Sequence, residues 1–321
     1  MFAFAVRRVV GLVIVLFAIS VLVFLIFNVI PGGDPALRLA GRHPTQDNIR
    51  QIRQDWGFNK PLYVQYVDMM ERLLIKRDLI SYQDQTPVIP SIERGIPRTV
   101  SLAVGAAIIW LFFGVMIGVL SAVYQGGWVD RSLTVVAMAG ISTPIFWLGA
   151  VLLYLLTFKY HSWAVFSWIP SGGYVGINHP LGWAQHLFLP WIVLSVVSIG
   201  FYARVVRSSL LETRSADYVR TARAKGLSTQ RVLIRHILRT SLIPVITLFG
   251  LDFGAALGGT VILVEPIFGL EGVGQYAQES VSHLDLPPLM AVTLYGAFFV
   301  VVFNAIVDMA YAWLDPRIRL E

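Results

Sequence analysis

Two sets of residues in this chain could do chemistry: a dense group of cations in one short interval, and a few carboxylates set inside apolar runs. Between Arg204 and Arg239 the sequence places nine Lys or Arg against two acids, Glu212 and Asp217, a local charge of +7 in a chain whose total is +6. Guanidinium and ammonium groups at that density build a charged docking face, not a nucleophile or an acid–base pair. Asp252 and Asp308 lie inside apolar runs, where an ionised group is costly and must face a wet cavity or find a partner. Ser198 and Asn304 are weaker candidates for the same lining. No catalytic set can be assembled. There is no Gly-x4-Gly-Lys-Ser/Thr loop to cradle nucleotide phosphates, and the six histidines are not paired at metal-ligand spacing. The absence of cysteine excludes disulfides, thiolate metal sites and thiol catalysis. Catalytic residues: none; metal site: none.

The elements that must position these groups are membrane spans. Fifty-six per cent of the residues are hydrophobic, 14% are charged, and the mean hydropathy is +0.68, outside the range of soluble globular domains. The apolar residues gather into six runs, Val9–Ile30, Val100–Val123, Leu133–Phe158, Leu187–Val206, Leu242–Val264 and Leu289–Leu314. Each is long enough to cross about 30 Å of hydrocarbon as a helix. Six crossings put both termini on one side. Arg7 and Arg8 precede the first run, Arg131 lies in the loop after the second, the basic interval follows the fourth, and Arg317 and Arg319 follow the last. The opposite loops, Lys159–His186 and Glu265–Pro288, hold one Lys and no Arg between them. The positive-inside bias therefore makes both termini cytoplasmic. Residues 1–30 read as a retained first span: the apolar run is long, and Phe27-Asn-Val-Ile-Pro31 lacks the small residues of a cleavage site.

Along the chain, Ile30-Pro-Gly-Gly-Asp-Pro35 must break the helix that leaves the bilayer. A short helix follows with Thr45 as N-cap and Gly57 as its stop. Pro61 opens a second, whose Leu62, Tyr66, Met69, Met70, Leu73 and Leu74 make an apolar face. A face of that kind needs a partner, so the outer loop of residues 31–97 is expected to be a folded cap. Pro144, in Ser142-Thr-Pro-Ile-Phe-Trp147, should kink the third span, with freed carbonyls satisfied by Ser or Thr side chains. Trp163, Trp168 and Trp183 fit an interfacial belt. In the basic interval, Ser215 or Asp217 can cap a two-turn helix ending at Gly226, and Ser228 or Thr229 can cap the next. Small residues at Ala216, Ala222 and Ala224 would let that short helix lie closely in a partner's groove. Gly250, Gly254 and Gly258 recur every four residues in the fifth span, a surface for close helix packing either within this subunit or across a seam to another.

The order of residues in Ala216-Asp-Tyr-Val-Arg-Thr-Ala-Arg-Ala-Lys-Gly-Leu-Ser228 resembles the coupling-helix motif of ABC importer permeases, Glu-Ala-Ala-x3-Gly. Gly226 stands at the motif's glycine and Ala222 at its second alanine, while Arg220 and Thr221 replace the Glu and first Ala. The later Ile-x-Leu-Pro of the motif is not at its usual spacing, the proline falling at Pro244. These departures are similar to the dipeptide, oligopeptide and nickel branch. So are Pro31-Gly-Gly-Asp-Pro35, Pro97-Arg-Thr-Val-Ser-Leu102, Pro144-Ile-Phe-Trp-Leu-Gly149, Ile169-Pro-Ser-Gly172, Val261 to Gly274 and Asp315-Pro-Arg-Ile-Arg319. The N-terminal layout is most like the first (B-type) peptide permease subunit. Arg77-Asp-Leu-Ile-Ser81 departs from the branch's Gly-Asp-Leu-Gly-x-Ser.

That resemblance implies an all-α, polytopic membrane protein of the type I ABC importer permease fold. Its parts would be a first span, an extracytoplasmic cap, a five-helix core over residues 98–314 and a cytoplasmic coupling loop at 207–241. It implies Asp217, Tyr218, Arg220, Thr221, Ala222, Lys225 and Gly226 as the ATPase-coupling residues. It implies a second homologous permease, two cytoplasmic ABC ATPases that bind the ATP and Mg, and an extracytoplasmic peptide-binding protein as partners, in a prokaryotic inner membrane. No cofactor is expected in this chain and no nucleic acid beside it. Di- or oligopeptide is the expected cargo, with nickel-chelate or glutathione as alternatives. A secondary transporter or channel acting alone is the reading from another class; it would show inverted repeats, and the two halves of the chain display none.

Overall fold

The computed structural model describes residues 2–29, 35–40 and 45–314, leaving out the side chains of residues 2–6, 8, 28, 29, 35, 38, 308 and 310–314. The expected break at 30–34 and the 315–319 motif lie outside the described residues. What is described is helical, with one isolated bridge between Ile80 and Pro87. Four helices are individually long and apolar enough to cross a membrane, and two bent pairs bring the number to six.

The first span lies within helix Phe2–Val29. The second is Val88–Val123, 36 residues and about 54 Å long at 1.5 Å per residue. It starts well before the expected Val100 and carries Pro97 inside its first turns. The fourth, Pro180–Arg214, likewise overruns the expected Leu187–Val206 at both ends. These two long helices are the centre of the molecule. Trp191 Nε1 donates to the Ser101 carbonyl at 2.9 Å and Ser195 Oγ to the Ala106 carbonyl at 3.0 Å, two polar ties across the contact. Leu102, Ala106, Trp110, Leu194, Tyr202 and Val206 fill the space between them.

The third span is broken, not merely kinked. Trp128–Ser142 and Ile145–Lys159 meet at 97°. Pro144 forces its predecessor out of the helical region, and Thr143 sits at φ −87°, ψ 122°. The Thr143 hydroxyl donates to the Ala139 carbonyl at 2.7 Å, as expected of a hydroxyl beside a proline break. The fifth span is a second bent pair, Thr229–Ser241 and Ile243–Gly258, at 43°. Its helix stops at Gly258, short of the expected Val264; residues 260–263 form a tight 3-10 turn that belongs to the outer loop. The sixth is Leu286–Leu314.

The cap is folded. Thr45 Oγ1 accepts from the Asn48 N–H at 3.2 Å at the head of Gln46–Asp55, and Gly57, at φ +71°, follows its end. The next helix, Leu62–Glu71, turns Met69 inward, with Leu73 just beyond it, against Val23 and Phe24 of the first span. The Tyr66 hydroxyl meets Ser20 Oγ at 2.7 Å. Tyr66 and Met70 are half-buried, whereas Leu62 and Leu74 remain exposed, so the apolar face is narrower than its spacing indicates. Asp285, just before the sixth span, accepts from Ser81 Oγ at 2.5 Å and from the Tyr82 and Gln83 N–H groups at 3.1 and 3.3 Å, tying the cap to the outer loop. Of the tryptophans placed in a belt, Trp163 and Trp168 are exposed, while Trp183 is half-buried edge-on to Trp191.

Candidate docking hairpin and its support

The short helix of the basic interval runs Asp217–Ala224. Its N-cap is Ala216, which makes no side-chain cap, so neither Ser215 nor Asp217 fills that role. Ser215 Oγ donates to the Glu212 carbonyl at 2.7 Å and closes the preceding helix instead. Asp217 occupies the first turn, where a carboxylate complements the helix dipole. The C-terminus closes as a Schellman motif: the Leu227 N–H bonds to the Ala222 carbonyl and the Gly226 N–H to the Arg223 carbonyl. Gly226 is at φ +77°, a conformation glycine adopts without a Cβ penalty. Ser228 caps the next helix by position, without a side-chain hydrogen bond.

The helix is two-faced. Val219 and Ala222 are buried with Leu210, Val232 and Ile237 of this same chain. Ala222 therefore serves the subunit's own packing and does not line the outer face. Asp217, Tyr218, Arg220, Thr221, Arg223, Ala224, Lys225 and Gly226 are exposed. Tyr218 is 45% exposed and offers the one large aromatic surface of that face. Arg220 reaches Asp217 at 3.6 Å, but both side chains are mostly in solvent, so the pair contributes little and leaves the guanidinium available. Thr221 Oγ1 donates back to the Asp217 carbonyl at 3.0 Å. The second limb of the hairpin is held to the fourth span by Ser241 Oγ, which donates to the Ile237 and Ser209 carbonyls at 2.9 and 3.3 Å.

One cation of the interval is not on the docking face at all. Arg207 donates from Nε to Asp130 Oδ1 and from Nη2 to Asp130 Oδ2, both at 2.8 Å. Asp130, buried in the first turn of the third span, also accepts from Ser121 Oγ and from the Gly126 N–H. Sequence reasoning counted Arg207 as one more loop charge and did not single out Asp130. The available signal was an acid two residues after Gly127-Trp128, at the head of a helix.

Within the spans, Asp252 finds a partner: Tyr202, fully buried on the fourth span, donates its hydroxyl to Asp252 Oδ2 at 2.9 Å. Ser198 and Asn304 are half-buried, and neither side chain is hydrogen-bonded to Asp252. The Asp308 side chain lies outside the described residues. Gly250, Gly254 and Gly258 face the sixth span: a Cβ on Gly254 would come within 2.8 Å of Phe303 Cβ, and one on Gly258 within 2.7 Å of the Gly296 carbonyl. The small-residue surface is thus packed within this subunit.

After the fifth span the structure adds Glu265, which sequence reasoning did not mark. It is fully buried, accepting from Thr99 Oγ1 at 2.6 Å and from the Gln275 N–H at 2.9 Å, while the Thr99 oxygen accepts from the Val273 N–H. Burial pushes its carboxyl above the usual range, and the donors around it together with Arg98 oppose that rise. Arg98 itself pairs with Glu271 at 2.6 Å. Burial and the Asp285 charge push the Tyr82 hydroxyl up, and the same two causes carry Tyr276 to about 12. Among the described residues, no three His, Asp or Glu gather into a metal site.

Comparison with known proteins bears on both ends of the chain. A family model described as binding-protein-dependent transport system inner membrane component matches residues 114–320, and the N-terminal model of the same component matches 1–103. A probable peptide ABC transporter permease, y4tP, of Sinorhizobium fredii (strain NBRC 101917 / NGR234) is 36% identical over 314 residues, covering 98% of each chain. A glutathione transport system permease, GsiC, of Escherichia coli O6:H1 is 35% identical over 322 residues, covering all of both. Among solved structures, the inward-facing MetNI methionine ABC transporter aligns with a TM-score of 0.51 at 15% identity, over 71% of this chain and 96% of that one. At that identity the last match shows the fold alone.

Proposed function

The chain belongs to the family of binding-protein-dependent transport system inner membrane components, and from that membership we propose that it is the permease subunit of an ATP-driven ABC importer for di- and oligopeptides. It is a transport subunit and not an enzyme. ATP and Mg are bound by two cytoplasmic ATPase subunits, and cargo arrives from an extracytoplasmic binding protein. A second, homologous permease completes the pathway. The basic hairpin faces the cytoplasm by the positive-inside bias, which puts both termini there and the cap outside.

The observation that carries the reading is the Asp217–Ala224 helix, closed at Gly226 and packed inward through Val219 and Ala222, with its aromatic and cationic side chains turned out. Closure of the ATPase dimer moves this helix, and the fourth and fifth spans, which continue from it on either side, carry the movement across the membrane. Alternating access follows from their reorientation. Asp252, held by Tyr202, is the pathway residue with a defined partner. The lining offers few fixed polar groups, which suits a channel that must pass peptides of varied side chains. Glutathione, itself a short peptide, is the second cargo reading, favoured by the full-length identity to GsiC.

Tyr218→Ala and Arg220→Glu test the docking face. Expected is an assembled permease pair whose ATP hydrolysis no longer drives uptake. Wild-type transport and wild-type ATPase binding in both variants would sink the assignment of this helix. Peptide uptake by the chain alone in liposomes, without ATP, would instead establish the secondary transporter.

A further inference from the structure

We propose that the Asp130–Arg207 pair is a positioning element of the transport cycle: it locks the cytoplasmic ends of the second, third and fourth spans into one body, so that a displacement of the docking helix is delivered to the third span. This rests on the permease reading above and assigns a role within it to two residues that reading does not use.

The geometry is that of a three-way knot. Both oxygens of the Asp130 carboxylate are taken by the Arg207 fork, Oδ1 by Nε and Oδ2 by Nη2, each at 2.8 Å. Ser121, in the last turn of the second span, donates to Oδ1, and the Gly126 N–H from the intervening turn donates to Oδ2 at 2.9 Å. The Thr134 hydroxyl lies at 3.5 Å. The carboxylate is 5% exposed. Asp130 is buried and the Arg207 side chain is 32% exposed; the bidentate pair is directional as well as strong, because the planar guanidinium meets the carboxylate in one orientation only.

Its place along the chain gives it mechanical meaning. Arg207 lies two turns, about 10 Å, before Arg214, where the fourth-span helix ends. Ser215 and Ala216 then lead directly into Asp217–Ala224. Only the two-residue turn at Ser215 and Ala216 separates the docking helix from the helix that carries Arg207, so a push on the former reaches the latter across one short joint closed by the Ser215 Oγ bond to the Glu212 carbonyl. The fork fixes the first segment of the third span to the fourth at this end, because it cannot slide without breaking. The third span is itself interrupted at Thr143–Pro144. Only its first segment, Trp128–Ser142, is carried by the knot, and the break lets the second segment respond separately.

An ion pair on a buried carboxylate also serves folding, and the two roles are separable. The experiment uses the full complex with its ATPases in liposomes and reads ATP hydrolysed per peptide imported. Asp130→Asn keeps the shape but loses the charge. Arg207→Lys keeps the charge but loses the fork. Asp130→Glu restores both with one extra methylene. Expected is that Asp130→Asn and Arg207→Lys assemble with the ATPases yet raise ATP consumed per peptide at least about fivefold, the low end of coupling between distant sites. Asp130→Glu should return the ratio toward wild type. A wild-type ratio in assembled Asp130→Asn and Arg207→Lys overturns the proposal, even if both are less stable. Failure of both to assemble while Asp130→Glu assembles also overturns it, by making the pair a folding element. A wild-type complex that imports no peptide would count against the permease reading itself, not against the knot.

Discussion

Replacing Gly258 with alanine should weaken the packing of the fifth span on the sixth, and its neighbour Gly259 supplies the control. A Cβ on Gly258 would come to 2.7 Å from the Gly296 carbonyl oxygen and 2.9 Å from Val300 Cγ2. The first obstacle is backbone, which cannot swing aside. Overpacking of this kind costs about 1–3 kcal/mol, and up to about 1 kcal/mol returns from the better helix propensity of alanine. Because Gly258 is the last residue of its helix, little of that return is realised, leaving a net loss of about 1–2 kcal/mol. Gly259 has open space where its Cβ would stand and an extended φ of −175°. Alanine there is expected to be neutral or mildly stabilising, by up to about 1 kcal/mol, through the unfolded chain. Thermal unfolding of the purified subunit in detergent should place Gly258→Ala roughly 2–12 °C below Gly259→Ala. Association with the second permease should be the same in both, since the surface is internal. Equal midpoints, with loss of the second permease from Gly258→Ala alone, would refute an intra-subunit seam.

Two further outcomes follow from the outer end. Glu265 has a folded-state pKa raised above the ordinary 4.5 by burial, so the folded protein holds its proton longer than the unfolded chain. Stability is then lost as pH rises from about the ordinary carboxylate value through the raised one. Glu265→Gln, neutral throughout, lacks that loss, and its unfolding midpoint should gain on wild type as pH rises above the ordinary carboxylate value; a gap independent of pH contradicts the account. Asp285→Ala leaves the buried Ser81 hydroxyl and the half-buried Tyr82 N–H without their acceptor, at a cost of about 1–3 kcal/mol for the buried group. That penalty is local, so limited proteolysis should cut residues 76–87 faster while the spans stay folded; an unchanged cleavage rate would show that Asp285 does not hold the cap.

The Asp217–Ala224 helix was legible residue by residue because its determinants are local: an acid in the first turn at Asp217, two turns of chain, and a glycine at 226. The Thr45 cap and the Pro144 break are equally local. The broken third span was read as a kink, since a proline states where a helix is interrupted but not how far its halves turn. Ala222 was assigned to a partner's groove and is in fact buried in its own chain: smallness is compatible with either neighbour. Ser215 or Asp217 was expected to cap the helix that follows, but its N-cap is Ala216, and Ser215 closes the helix before it, a choice between carbonyls and N–H groups that both lie within its reach.

By itself, then, the sequence determined how much of the chain is apolar, where the apolar runs fall, on which side the cations collect, and which short motif joins the fourth and fifth runs. Hydropathy, charge and backbone propensity are properties of neighbouring residues, and they survive in a one-dimensional reading. Only the tertiary structure decided which charges are satisfied inside the protein. Arg207 meets Asp130 across 77 residues of chain, Tyr202 meets Asp252 across 50, and Thr99 meets Glu265 across 166. A lone buried charge carries a large desolvation penalty and a paired one far less, so the fold must bring such partners together. Spacing along the chain does not record where they meet.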